Sequence, residues 1–377
     1  MSFAFKLLKT DARSGARLGV ITTAKGEIPT PLFMPVATQG AIKAVEPERI
    51  AETGVRILLA NAYHLHLKPG EDIVASQGGL HRFMNWPHLI ITDSGGYQVF
   101  SLPKREIEEE GVRFQFEQFG KPVVLSPESS IAIQEKLGAD IIMAFDECVA
   151  FPTPHAYAKQ AMERTVRWAR RCAAAHTRPD QALFPIVQGS TYADLRKDCA
   201  EALAELDLPG IAVGGLSVGE GLDVMREVLS YTVPHLPRDK PRYLMGVGLP
   251  EDILAAVEAG MDMSDCIIPT KYARSGMLFT AVGRLRITRP NYRRDKYPPD
   301  TDCPCYTCQH YTRAYLHHLF QADEILGDTL ATIHNVHFYQ RLMERIRQAI
   351  AEDRFLEFKR EFLQGYQRED KKTKNVR

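Results

Sequence analysis

No window of the sequence approaches 18 uninterrupted apolar residues, so no membrane-spanning helix is expected. Net charge is also missing. Lys plus Arg number 47 and Asp plus Glu number 47, which excludes a chain that coats nucleic acid by overall charge. Any nucleic-acid site must then be a local patch. Cysteine is scarce and odd in number, seven in all. Four are scattered (Cys148, Cys172, Cys199, Cys266) and three are clustered (Cys303, Cys305, Cys308). That pattern excludes a disulfide framework and points to free thiols and a metal site in a reducing compartment. The opening stretch holds no continuous apolar segment and no small-residue cleavage site. The expectation is a chain that is not exported and works in the cytoplasm.

What is present is ordinary globular composition, 45% apolar and 25% charged over 377 residues. Such a length buries a sizeable core and allows two or three domains, or one barrel of about 250 residues with an appendage. Eight short apolar runs recur along the chain: 32–36, 56–60, 89–92, 141–145, 183–187, 211–213, 242–245 and 263–268. Continuous runs without alternation suit strands buried on both faces. Between several of them the spacing predicts helices, most clearly over Pro47–Gly54, Pro127–Gly138, Ala156–Thr177, Tyr192–Leu206, Gly221–Val233 and Glu251–Gly260. Eight strand-then-helix units predict an α/β fold, a (β/α)8 barrel, with a doubly wound open sheet as the alternative. The expected division is an N-terminal β-layer over 1–30, the barrel over 31–278 and a metal-binding subdomain over 279–334. A closing helix over 335–365 and a charged tail over 366–377 complete it. The acidic run Glu106–Glu110 reads as a solvated face.

Polar residues and glycines gather just after the runs, where barrel enzymes place their active sites. Asp93-Ser94 follows the third run, Asp146-Glu147-Cys148 the fourth, Gln188-Gly189 the fifth and Gly214-Gly215-Leu216 the sixth. Asp265 lies within the eighth. Any one aspartate at a strand end is most simply a helix cap, but three in register suit nucleophile and acid/base roles in glycosyl transfer. Tyr97 and Met245 read as core on pattern alone, yet beside polar strand ends they could sandwich a base. The three thiols of Cys303-Pro-Cys305-Tyr-Thr-Cys308 match one side of a tetrahedral zinc site. Spacing leaves His310, His317, His318, His334 and His337 all open as the fourth ligand. Between Asp265 and Lys296 eight cations, among them Lys271, Arg274, Arg284, Arg286 and Arg289, face two anions. Such asymmetry in a neutral chain suits a phosphate backbone.

Taken in order, Asp93-Ser-Gly-Gly-Tyr97-Gln, Phe145-Asp-Glu-Cys148, Ile186-Val-Gln188-Gly-Ser, Val213-Gly-Gly215-Leu-Ser, Tyr243-Leu-Met-Gly-Val-Gly248 and the Cys303-x-Cys305-x-x-Cys308 motif resemble bacterial tRNA-guanine transglycosylase over nearly the whole chain. The resemblance implies a zinc-bearing TIM barrel, a homodimer, that exchanges the wobble guanine of tRNAs with a GUN anticodon for 7-aminomethyl-7-deazaguanine. It implies Asp265 as nucleophile, Asp93 as general acid/base and Asn61 as the residue orienting that acid. Ser94, Tyr97, Asp146, Cys148, Gln188, Gly214, Gly215, Leu216, Val218 and Met245 are implied around the base. Lys271, Arg274, Arg284, Arg286 and Arg289 are expected on the RNA. Cys303, Cys305, Cys308 and His334 are implied as ligands of one structural zinc. Val218 stands where relatives that use queuine directly have a small residue. Ser264, Lys271 and Leu249 depart from the usual residues at their positions and flank the expected RNA side. Three other readings compete: a transglycosylase that uses queuine; a non-catalytic RNA-binding subunit on the same barrel, in which a catalytic aspartate should be missing; and a zinc hydrolase, which needs a metal at the strand ends.

Overall fold

The computed structural model describes residues 3–102, 104–115, 122–217 and 219–372. The chain opens with an antiparallel sheet of β1 (Ala4–Thr10), β2 (Arg17–Thr23) and β3 (Gly26–Thr30). It then enters β4 (Leu32–Ala37), β5 (Ile57–Ala60) and β6 (Leu89–Thr92). A second antiparallel sheet follows, built from β7 (Arg105–Ile107), β8 (Val112–Gln115) and β9 (Pro122–Leu125). The wall of the barrel continues through β10 (Ile141–Met143), β11 (Ala182–Phe184), β12 (Ile186–Val187), β13 (Ile211–Val213), β14 (Arg242–Leu244) and β15 (Met263–Cys266).

The nine parallel strands run in the order β11-β10-β6-β5-β4-β15-β14-β13-β12. The two end strands are one run of chain, divided at Pro185, which has no N–H to give to a ladder. Eight runs therefore form a nearly closed barrel, and the open-sheet alternative falls away. Each run is buried on both faces. Leu59, Ile91, Met143, Phe184 and Tyr243 face the interior, while Leu58, Ile90, Ile142, Leu183 and Leu244 pack outward among the helices. That double burial is why the runs show no polar alternation. Phe5, Ile21 and Ile28 of the first sheet, with Phe3 just before it, join the interior cluster, so this sheet plugs the end of the barrel at which the strands begin.

The helices lie close to their expected spans, at Pro47–Glu52, Pro127–Leu137, His155–Ala175, Ala193–Ala204, Leu222–Thr232 and Pro250–Ala259. A two-stranded ribbon, β16 (Met277–Thr280) and β17 (Gly283–Arg286), leads into the cysteine-bearing region. The expected single closing helix over 335–365 is corrected. One helix spans Ile325–Ala351 and a second spans Phe355–Lys372. The break falls at Asp353, at φ +55, a left-handed conformation that aspartate tolerates better than most residues. Its carboxylate is tied to Lys9 Nζ at 2.7 Å and to the Ala12 N–H at 3.2 Å. No glycine or proline marks this break in the sequence. The first of the two helices begins ten residues before 335, so His334 sits inside it. The acidic run is exposed in part, yet it is also a clasp. The Glu109 carboxylate takes Arg167 at 2.7 and 2.8 Å, and its carbonyl takes Trp168 Nε1 at 2.8 Å. Among the described residues no helix is long and apolar enough to cross a membrane.

Candidate active site and metal centre

The C-terminal ends of the barrel strands open into a cavity of about 490 Å³. Asn61, Asp93, Ser94, Tyr97, Asp146, Cys148, Gln188, Gly214, Gly215, Leu216, Met245 and Asp265 all line it. Val218 falls outside the described residues. Tyr97 is 59% exposed at this mouth, so it is not core. His64 and Tyr243 also line the cavity and were missed from sequence. His64 lies within a helical turn capped by Asn61, and Tyr243 is hidden inside an apolar run.

Asp93 follows β6 directly. Its Oδ1 accepts the Ala62 N–H at 2.9 Å, and its Oδ2 takes the Asn61 amide. Asn61 is held in turn, because its Oδ1 caps the next helix through the His64 N–H at 3.0 Å. Burial pushes the Asp93 carboxyl up to about 7, and the nearby Asp265 and Asp146 carboxylates push the same way. A carboxyl in that range carries its proton for part of the time at neutral pH and can both give and take one.

Asp265 lies within β15. Its Oδ1 accepts the Tyr243 hydroxyl at 2.5 Å and the Gly246 N–H at 2.9 Å. Burial raises this carboxyl as well, while those two donors oppose the rise and support the ionised form. Asp146 is the third. Gln188 Nε2 donates to its Oδ2 at 2.7 Å, and Ser94 Oγ lies 3.4 Å from its Oδ1. Burial lifts it to about 6, which leaves it mostly charged at neutral pH. A Cβ at Gly96 would fall 2.9 Å from Asp146 Oδ1, so glycine is needed where the two strand ends meet. Cys148 is pushed up to about 12 by burial and is a thiol, not a thiolate. Glu147 turns away from the cavity. It is fully buried and takes Arg164 together with the Tyr157 hydroxyl, at 2.8 Å.

The expected RNA residues divide into two groups. Lys271, Arg286 and Arg289 are exposed. Arg274 is half-buried and bonds the Thr270 carbonyl at 2.9 Å. Arg284 is half-buried too and lies 3.9 Å from Glu251.

Cys303, Cys305, Cys308 and His334 come together, all buried, with their donor atoms within 4.8 Å of one another. The fold thus brings in His334 among the five histidines that spacing left open. Its Nδ1 lies 3.9, 3.5 and 3.2 Å from the three sulfurs. Tetrahedral zinc with sulfur and nitrogen ligands needs about 3.6 Å. The other ring nitrogen, Nε2, lies 2.7 Å from the Phe279 carbonyl. That contact assigns the proton to Nε2 and leaves the Nδ1 lone pair facing the thiols. The four residues fit one metal ion. None of them lines the barrel-mouth cavity.

A family model described as queuine tRNA-ribosyltransferase matches residues 11–368. The queuine tRNA-ribosyltransferase of Caldanaerobacter subterraneus is 53% identical over 96% of this chain and 97% of its own length. That of Halothermothrix orenii is 53% identical over 97% of this chain and 98% of its own. That of Symbiobacterium thermophilum is 52% identical over 97% and 92%. The chain belongs to the queuine tRNA-ribosyltransferase family of enzymes.

Proposed function

We propose that this enzyme exchanges the wobble guanine of tRNAs with a GUN anticodon for 7-aminomethyl-7-deazaguanine, through a covalent link between the ribose and Asp265. The observation that carries the proposal is the contrast between two buried carboxyls in one cavity, Asp265 and Asp93. Hydrogen bonds from Tyr243 and Gly246 support Asp265 as an anion. Asp93 is held near neutrality and keeps a transferable proton.

In the first displacement an Asp265 oxygen attacks C1′ of the ribose. The bond from C1′ to the base breaks, and guanine leaves with the electron pair and takes the Asp93 proton. In the second, Asp93 removes a proton from the incoming base. The freed nitrogen attacks C1′, and the Asp265 carboxylate is released. Two displacements keep the sugar configuration, as with two carboxyls in a retaining glycosidase. An unpaired anticodon loop lets the base leave the stack at small cost.

The Asp146 carboxylate accepts the N–H groups of a guanine-type base, and the Leu216 carbonyl assists. Gln188 and the Gly215 N–H donate to its carbonyl. Adenine would leave these buried groups mispaired. Tyr97 and Met245 stack on the two faces. Lys271, Arg286 and Arg289 reach the phosphates as the exposed part of the basic set, with Arg274 and Arg284 behind them. Zinc on Cys303, Cys305, Cys308 and His334 ties the ribbon β16–β17 region to the long helix and leaves no open ligand position, so its contribution is structural. A homodimer in the cytoplasm completes the proposal.

The test is incubation of the protein with labelled guanine and an unmodified GUN-anticodon tRNA, beside an Asp265→Asn control. Incorporation at the wobble position that is lost in the control supports the proposal. Tight tRNA binding without incorporation favours the RNA-binding subunit. Competition by 7-aminomethyl-7-deazaguanine and by queuine then identifies the incoming base, and Val218→Gly should admit queuine if Val218 crowds its cyclopentenediol. Size-exclusion light scattering checks the dimer.

A further inference from the structure

Arg196 belongs to the helix Ala193–Ala204, directly behind the loops that carry Gln188 and Gly215. It is 0% exposed, and no carboxylate lies within ion-pairing distance of it among the described residues. Every hydrogen bond of its guanidinium goes to a main-chain carbonyl. Nε donates to Ser190 at 2.7 Å, Nη1 to Val187 at 3.0 Å and to Gly214 at 2.7 Å, and Nη2 to Gly215 at 3.4 Å. Burial lowers its pKa to about 10, so it remains a cation at neutral pH. Glu220 is an opposite charge that acts on it only from beyond ion-pairing distance, and a buried charge without a direct ion pair is costly. Holding a few carbonyls does not by itself require one, since a neutral amide can donate to them.

The position of the charge suggests what it does. The Gly214 carbonyl and the Gly215 N–H belong to one peptide group. In a trans peptide they point in opposite directions. With the carbonyl turned back onto the guanidinium, the N–H is turned the other way, to the side on which Gly215 lines the cavity. A cation on the carbonyl oxygen draws electron density through the amide and makes its N–H a stronger donor. The loop is packed closely onto this arrangement. A Cβ at Gly215 would meet Gln188 Oε1 at 2.4 Å and Arg196 Nη2 at 3.3 Å, and one at Gly214 would meet Gln188 Nε2 at 2.7 Å.

We infer that Arg196 is a positioning residue for base selection, which aims and strengthens the Gly215 N–H as a donor to the carbonyl oxygen of a guanine-type base. This rests on the base reading proposed above. It also assigns to a residue that touches no substrate part of the preference for a 6-oxo purine.

The test compares two unlabelled competitors of labelled-guanine incorporation into tRNA, using the full metal-loaded chain. Guanine has the 6-oxygen; 2-aminopurine lacks it. In Arg196→Met, guanine should compete on the order of tenfold less well, while 2-aminopurine changes less than about twofold, so that the ratio between them collapses. A purely structural role predicts equal weakening of both, and that result overturns the inference, as does no change in either. If Arg196→Met does not fold, Arg196→Lys decides. It keeps the charge and loses the fork, and its ratio should fall part of the way; equal loss for both competitors again overturns the inference. Wild-type protein that incorporates no guanine overturns the base reading itself, an outcome seen before any variant is made.

Discussion

Asp140 and Asp93 stand at opposite ends of the same barrel wall. Asp140 precedes β10, where the strands begin, and Asp93 follows β6, where they end. Burial pushes both carboxyls upward. At Asp140 that push is outweighed by His81 at 2.9 Å, by Lys25 and by the Ile90 N–H at 2.8 Å, which hold the group below its usual range. At Asp93 the donors are the Asn61 amide and backbone N–H groups, and neighbouring carboxylates add to the push, so the group settles near 7. One residue type in one sheet is held as an anion at the closed end and is suited to the proposed proton transfer at the open end. The partners that each strand end meets decide between anchoring the fold and doing chemistry.

The largest effect should come from Asp265→Asn, which removes the proposed nucleophile at the open end. Base exchange should fall at least about 10³-fold, with the circular-dichroism melting curve retained. Next is Asp140→Asn, which strands Lys25 and His81 at the closed end. It should cost about 2–3 kcal/mol of stability at pH 7 by denaturant unfolding. Because the folded pKa of Asp140 is depressed, its contribution is present above the unfolded value, near 3.8. The loss should therefore fade as the pH falls through the folded pKa.

Asp93→Asn should act in the opposite direction on stability. A raised carboxyl pKa means that the folded state binds more protons than the unfolded state between about pH 4 and pH 7, so wild-type stability declines as pH rises through that window. The variant should be more stable than wild type by about 4 kcal/mol at pH 8 and equal to it near pH 4, read from melting curves at both pH values. If Asp93→Asn and Asp140→Asn shift stability in the same direction at pH 8, the comparison between the two ends breaks. The smallest effect belongs to Tyr243→Phe, which removes one of the donors to Asp265. The acid limb of the exchange rate against pH should move upward by about one pH unit, with the rate on the alkaline side of that limb little changed.

Much of this was legible in the sequence, for identifiable reasons. Short strands buried on both faces appear as uninterrupted apolar runs, and the first polar residue after each run is the one left at the barrel mouth. Asp93, Asp146 and Gln188 were found in that way. The thiols of the metal-binding cluster were legible because three of its four residues fall within six positions. Their histidine was not legible from spacing, since His334 comes from a long helix and only tertiary packing chooses it. Tyr243 was hidden because a tyrosine inside an apolar run looks like core, and it is core except for its hydroxyl on Asp265. Arg196 was hidden because an arginine in an amphipathic helix normally faces water. The helix break at Asp353 was missed because its turn is stabilised by Lys9 and Ala12, distant in the chain, and not by a local glycine.

The central claim, that the open end of the barrel keeps a carboxyl protonated into the neutral range, is tested most directly by titrating the ¹³C carboxyl resonances of the aspartates by NMR, in wild type and in Asp93→Asn. One resonance should titrate near pH 7 in wild type and be absent from the variant, while Asp140 remains ionised down to below its ordinary value. If the resonance assigned to Asp93 titrates below about pH 5, Asp93 is an ordinary carboxylate, and the division between a proton carrier at one end of the barrel and an anchor at the other is wrong.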